Sequence, residues 1–286
     1  MVDEYGKRAS LSYNNYLRVA DLIRLQDCLS DPAHHDELLF ITIHQTYELW
    51  FKLMLHEIDS GIAHMNADRL RLAVRALLRV VEIEKILVQQ IHILETMTPM
   101  GFLGFRDDLN PASGFQSMQF HEIEFASGLK DESVLHGFRN EEFAYKRLEA
   151  RLAAPTLSDA FFQLLNRRGL DAPLDQQTLS PEERQIAYDK RTRAVVELLT
   201  HLESVYEEFQ LAEGLIAHDE YFQLWRVHHV RMVERMVGAK FGTGGTEGVG
   251  YLQTTLNKKF FPELWEARTY LDTKHTGGGG CPFISR

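Results

Sequence analysis

Residues 37 to 62 read ELLFITIHQTYELWFKLMLHEIDSGI, a run at helical spacing that is apolar on almost every face. A long helix that is hydrophobic all round has to lie at the centre of a bundle, because no solvated side remains for it to expose. Within the run, His44 falls one turn after Phe40 and one turn before Tyr47 and Glu48, with Phe51 on the same side. Burying an imidazole without a partner is costly, so His44 needs either a hydrogen bond within the core or a ligand. Both readings stand on this stretch alone.

A second stretch, Tyr221 to Thr246 (YFQLWRVHHVRMVERMVGAKFGTGGT), has the same property. At about 100° per residue, Trp225, His229, Met232, Val233 and Met236 share one arc. Arg231, Glu234 and Arg235 fall outside it, and His228 sits at its border. Gly238 is a natural helix stop, followed by the backbone-rich loop Gly242-Thr243-Gly244-Gly245. A single inward histidine fits a satisfied core imidazole as readily as a ligand. Two of them, His44 and His229, with a polar loop following the second, point instead to one buried cofactor behind a gated entrance.

The rest of the chain is compatible with one all-α bundle. Residues 11–30 predict an amphipathic helix N-capped by Ser12, with Tyr13 and Tyr16 a turn apart and Asp31-Pro32 as its end. Residues 66–97 predict a long helix with a stripe of Leu70, Leu77, Val81, Ile86 and Ile93, and with Arg69, Arg71, Arg75 and Arg79 solvated. Arg106 lies among Phe102, Phe105 and Leu109, an apolar setting in which a guanidinium meets a carboxylate of the protein or of a ligand. Pro181-Glu182-Glu183 opens a helix running through Ile186, Val195, Leu198, Leu202 and Tyr206, and short helices surround Pro262. Gly277 to Gly280 belongs to a loose tail, residues 273–286.

Composition and motif searches narrow the chemistry. A formal charge of -10 argues against nucleic acid as the main partner. The two cysteines, Cys28 and Cys281, fit no disulfide or zinc framework, so a reducing cytoplasm is the expected setting. No run of about 18 apolar residues predicts a membrane span. None of the 13 histidines has Glu three residues before it, so a Glu-x-x-His di-iron bundle is excluded. His-Glu-x-x-His, Cys-x-x-Cys-His and the phosphate-loop motif are also missing, and the five glycines of 242–250 follow a helix rather than a strand. The carboxylates beside His121, Glu122 and Glu124, read as surface charge. What survives is a buried imidazole in a Met- and aromatic-lined helical interior, the environment of non-covalent haem. A haem-based oxygen sensor and a cofactor-free helical scaffold are the rival readings.

Five separated segments then carry a resemblance. SYNNYL (Ser12–Leu17), FITIHQTYELWFK (Phe40–Lys52), FRDDLNPASGFQS (Phe105–Ser117), WRVHHVRMVERMVG (Trp225–Gly238) and GTGGT (Gly242–Thr246) resemble, in order, the tryptophan 2,3-dioxygenase family. The resemblance spans roughly residues 11 to 272. It implies an all-α, single-domain homotetramer, a dimer of dimers, with one b-type haem per subunit, ferrous when active. It implies that O₂ is inserted across the indole C2–C3 bond of L-tryptophan to give N-formyl-L-kynurenine, the first step of tryptophan catabolism.

Carried over by position, His229 would be the axial iron ligand, with Ser113, Gly114 and Trp225 bordering the haem. His44 would accept the indole N–H on the open face. Arg106 would pair with the substrate carboxylate and Thr243 would help hold the ammonium. Phe40, Phe102 and Leu17 would sandwich the indole, with Tyr13 and Tyr16 arriving from a neighbouring subunit. The chain departs from the pattern at Val227-His228, where relatives often carry an aromatic and an arginine, and at Glu247, where a small polar residue is usual.

Overall fold

The computed structural model describes residues 11–174, 179–201, 205–238 and 249–272. The Gly-rich loop with Thr243 and Glu247, and the tail 273–286, lie outside the described residues. Every regular element among the described residues is helical: α1 (Tyr13–Leu17), α2 (Val19–Leu22), α3 (His35–Asn66), α4 (Leu70–Leu94), α5 (Pro99–Arg106), α6 (Met118–Ser127), α7 (Glu142–Ala153), α8 (Leu157–Arg167), α9 (Pro181–Thr200), α10 (Tyr206–Val237), α11 (Val249–Thr254) and α12 (Pro262–Ala267), with short 3₁₀ turns between them.

The centre is built from α3, α4 and α10, with α4 packed on both of the others. Both α3 and α10 are 32 residues long. α6 and α8 lie against α3, α7 covers α6, and α12 packs on α9. One large apolar cluster joins these elements except α7, and includes Met54, Ile58, Leu77, Leu87, Phe161, Leu215 and Phe222, while Ala144 and Leu148 of α7 pack with Phe125 and Phe138 in a smaller one. Each such side chain removed from water contributes about 1.5–3 kcal/mol. α10 approaches α4 closely at Gly214, where an added Cβ would stand 3.3 Å from Leu77 Cβ and Cδ1.

Capping explains most boundaries. Ser180 and Glu183 form a reciprocal capping box with Pro181 at the first helical position of α9, as the sequence predicts. Thr156 and Asp159 do the same for α8. α10 stops at Gly238, whose φ of 62° is open to glycine and whose N–H donates to the Glu234 carbonyl at 2.9 Å. At the start of α3, the buried Glu37 carboxylate accepts the Leu29 N–H at 2.6 Å and the Ser30 N–H at 3.1 Å, and binds the Ser30 hydroxyl. Burial pushes that carboxyl up, but the Ser30 hydroxyl and the two amides outweigh it and hold it below the ordinary range. The segment before α3 is thereby tied down beside the first turns of α3, where Gln45 Nε2 also donates to the Leu25 carbonyl at 2.8 Å.

Four expectations need correction. Residues 11–30 are not one helix: Arg18 takes φ 52° between α1 and α2, and α2 ends at Leu22. No core lies beneath this segment, and isolated helices this short are marginal in water. The apolar stripe of α4 holds for Leu70, Leu77 and Val81, but Ile86 and Ile93 are 40% and 46% exposed. α9 ends at Thr200, so Tyr206 opens the next helix instead of extending that one, while Leu202 lies outside the described residues. Glu122 and Glu124 are buried and ion-paired, with Arg147 at 2.6 Å and Arg226 at 2.7 Å respectively, rather than surface charge.

One buried polar trio holds α4, α6 and α10 together. Ser127 donates to the Ile123 carbonyl at 2.7 Å and accepts from His218 Nε2 at 2.8 Å, and His218 Nδ1 meets Glu84 Oε1 at 2.7 Å. Burial pushes the Glu84 carboxyl up to about 7, against the pull of His218. The Ser127 hydroxyl is occupied and the trio lines no cavity, so it is a core fastening and not a nucleophile with its base.

The Gly214 contact gives a direct test of the α4–α10 packing. Gly214→Val should destabilise the protein by about 1–3 kcal/mol through overpacking against Leu77, read as a fall of several degrees in the thermal unfolding midpoint. An unchanged midpoint would show that the two helices separate without cost there.

Candidate functional site

The three central helices do not fill the space between α3, α5, α6 and α10. A cavity of about 550 Å³ remains there, within the range of roughly 300–1,000 Å³ usual for small-molecule sites. Each wall follows from helical spacing. α3 presents Phe40, His44, Tyr47 and Phe51 at intervals of one turn, and α5 presents Phe102 and Arg106. α10 contributes Trp225, His229, Met232, Val233 and Met236, the arc expected from sequence. The turn between α5 and α6 closes one edge with Ser113 and Gly114. Ser113 is itself fixed by a capping box with Gln116.

The two imidazoles are held differently. His44 Nδ1 lies 2.7 Å from the Phe40 carbonyl. A carbonyl only accepts, so Nδ1 carries the hydrogen and Nε2 keeps a lone pair. Burial lowers the His44 pKa, outweighing the Phe40 carbonyl and the nearby Glu48 carboxylate. The ring stacks obliquely on Phe40 at 4.0 Å, and Phe40 in turn meets Phe102 at 5.7 Å.

His229 lies flat against Trp225, with ring centres 4.9 Å apart and planes 7° from parallel. Burial first, and then the neighbouring His44, push its pKa down to about 4. Among the described residues neither nitrogen of His229 makes a hydrogen bond, so this neutral ring offers a lone pair with nothing to receive it. The Trp225 Nε1–H is likewise buried; it lies beside the Tyr47 hydroxyl but has no acceptor in good hydrogen-bond geometry among the described residues. A buried donor left unmade costs about 1–3 kcal/mol, so an acceptor from outside the chain is the natural resolution.

Charged groups brace the walls. Glu48 accepts from the Ser117 hydroxyl at 2.6 Å and from Gln119 Nε2 at 2.8 Å, fixing the Ser113–Ser117 turn to α3. Arg226 donates to Glu124 at 2.7 Å and to the Lys258 carbonyl at 2.9 Å. His121 Nδ1 meets the other Glu124 oxygen at 2.9 Å. Burial raises the Glu124 pKa, but His121 and Arg226 outweigh it and leave the carboxyl below its ordinary range.

The structure therefore brings Phe40, His44, Phe102, Arg106, Ser113, Gly114, Trp225 and His229 around one volume. It does not bring Tyr13, Tyr16 or Leu17 there. These stand on α1, with the two tyrosines 75% and 74% exposed. Thr243 lies outside the described residues. The sequence reading missed the Arg226–Glu124–His121 brace and the unpaired Trp225 donor. Arg226 precedes His229 by three residues, so helical spacing alone places it near the same wall.

Comparison with known proteins identifies the family. The family model described as tryptophan 2,3-dioxygenase matches residues 3–179 and 169–271. A tryptophan 2,3-dioxygenase from a Nocardioides species is 48% identical over 268 residues, covering 92% of this chain and 96% of that protein. Those of Xanthomonas euvesicatoria pv. vesicatoria and Serratia proteamaculans are 39% and 40% identical, covering 95% and 94% of this chain and 91% and 95% of those proteins. The chain belongs to the tryptophan 2,3-dioxygenase family and is a dioxygenase.

Proposed function

We propose that this chain binds one b-type haem and uses O₂ to open the indole ring of L-tryptophan, giving N-formyl-L-kynurenine at the head of tryptophan catabolism. The observation that carries the reading is the convergence of His44, His229 and Arg106 on one largely apolar cavity. The residues fit the cofactor. A metal ligand has to be deprotonated, and His229 is held neutral, unbonded and inside a wall of methionine, valine and tryptophan. The unpaired Trp225 N–H supplies a donor for an acidic edge of the porphyrin.

Ferrous haem, when bound, supplies the activation of O₂. The protein's own residues do the rest. Arg106 pairs with the substrate carboxylate, and a planar guanidinium fixes orientation as well as charge. Phe40 and Phe102 flank the indole. His44 Nε2, whose lone pair is guaranteed by the bond from Nδ1 to Phe40, accepts the indole N–H. Substrates lacking that N–H leave a buried acceptor unmatched, and selectivity arises from this mismatch. Thr243 holds the ammonium from the Gly242–Thr246 loop, which excludes water when closed.

The same reading assigns a homotetramer, a dimer of dimers, in which Tyr13, Tyr16 and Leu17 complete the indole slot of a neighbouring subunit. Their exposure within one chain supports this. A single domain in the cytoplasm completes the proposal; no helix among the described residues is long and apolar enough to cross a membrane.

The central test is an absorption spectrum of the purified protein, reduced, with and without L-tryptophan. A haem Soret band that shifts with L-tryptophan, with growth of formylkynurenine in air, is expected, and His229→Ala should lose most of the haem. A protein without a Soret band would sink the proposal. Arg106→Leu should retain haem while raising the KM for L-tryptophan roughly ten- to a hundredfold, the worth of a charge-assisted pair; an unchanged KM would remove its carboxylate role. The third expectation concerns pH. His44 acts as an acceptor only when neutral, and its pKa lies below the ordinary imidazole value of 6.5. Activity should therefore hold down through pH 6.5 and fall only in more acid solution, as Nε2 takes up a proton. A kcat/KM profile falling already above pH 7, and unaltered in His44→Ala, would contradict that role.

A further inference from the structure

Outside the cavity a second pair of imidazoles meets. His92 stands in the last turn of α4 and His228 on the outer border of α10, and neither lines the cavity. Their ring centres are 5.3 Å apart and their planes 89° from parallel. Edge-to-face packing alone accounts for that spacing, since ring pairs favour about 4.5–7 Å. Two features of the pair also suit a shared metal ion.

The first is orientation. His92 Nδ1 lies 3.0 Å from Glu95 Oε2, one turn along the chain. A carboxylate only accepts, so Nδ1 carries the hydrogen and the lone pair of His92 is on Nε2. A carboxylate behind an imidazole is the arrangement that orients metal-binding histidines and raises their basicity. The same Glu95 oxygen is 4.0 Å from Arg235. The second feature is span. Two imidazoles bound to one tetrahedral ion at about 2.0–2.1 Å have ring centres roughly 5 Å apart, which is the separation found here, and they come from two different helices.

We propose that His92 and His228 together bind one divalent late first-row transition metal ion, zinc being the one whose tetrahedral preference the spacing fits. Water completes the coordination, because no three ligating side chains converge on one point among the described residues. Imidazole selects zinc or nickel over magnesium and calcium, which require oxygen ligands. The bound ion clips the end of α4 to α10 beside the residue proposed to hold the haem. The proposal stands apart from the dioxygenase reading, since it uses neither His229 nor the cavity.

Calorimetric titration of the full chain as purified, with ZnCl₂ and separately with MgCl₂, tests it. The parent protein should bind one zinc ion in the micromolar range that His92→Ala and His228→Ala each weaken at least tenfold, and that Glu95→Gln weakens about tenfold, as loss of an orienting carboxylate does. Magnesium should give no comparable binding. Circular dichroism without metal establishes that the variants fold, and His92→Gln and His228→Gln replace any alanine variant that does not. Zinc binding of equal affinity and stoichiometry in the parent and both histidine variants, or no zinc binding by the parent, overturns the proposal.

Discussion

Desolvation is the constraint on which the site depends. His44 and His229 reach one apolar volume from α3 and α10, and burial disfavours the charged form of each. A neutral imidazole has a lone pair to give; an imidazolium has none. What separates the two residues is the local bond and not the burial. The Phe40 carbonyl, one turn back on the same helix, fixes the tautomer of His44 and aims an acceptor outward. His229 lies against the face of Trp225, and among the described residues its ring nitrogens make no hydrogen bond. One physical effect, divided by one hydrogen bond, thus suits the two rings to the different roles proposed for them, acceptor and ligand.

That division requires walls that do not move, and the walls are braced by buried ions. Asp219 on α10 accepts the amides of Phe260 and Phe261 at 3.1 and 3.2 Å and Trp265 Nε1 at 2.9 Å, tying the chain before and within α12 to the helix that carries His229. Arg226, on the same helix, reaches Glu124 on α6 and the Lys258 carbonyl. Glu48, one turn beyond His44, holds the turn that carries Ser113. Removing either partner of the Arg226–Glu124 pair strands the other charge in a poor solvent, so that contact fixes geometry even where it adds little net stability.

Periodicity made the two long helices legible, because burial on nearly all faces leaves a strong pattern over many turns. His44, Trp225 and His229 could be placed inward from that pattern alone. The N-terminal stretch misled for the opposite reason: Tyr13, Tyr16 and Leu17 have helical spacing but no core of their own chain beneath them. At about 100° per residue, Ile86 and Ile93 stand roughly 140–160° around α4 from Leu70, on the side away from Leu77 and Val81, and so meet solvent while Leu87 and Ile91 stay buried. Glu122 and Glu124 were misjudged because their partners, Arg147 and Arg226, lie 25 and 102 residues away. Long-range pairing of charges leaves no local trace. The unpaired Trp225 donor is invisible in sequence for the same reason, since an absent partner has no spacing.

The cavity carries an energetic consequence for how the chain holds together. An apolar void costs about 24 cal/mol per Å³. The site of about 550 Å³ is partly open to solvent and escapes that cost by taking up water or a ligand. The volume is therefore filled, by water through its polar edge or by a ligand that also meets the apolar wall. Water suits the polar edge beside Ser113, but it gains little against Met232, Val233 and Met236. A flat apolar group with acidic edges meets both demands at once. With the proposed haem in this volume, folding and cofactor binding would be coupled through this mismatch, and α10 is where the two would be joined: its inner arc faces the cavity while Gly214, His218 and Asp219 on the same helix fasten it to the core.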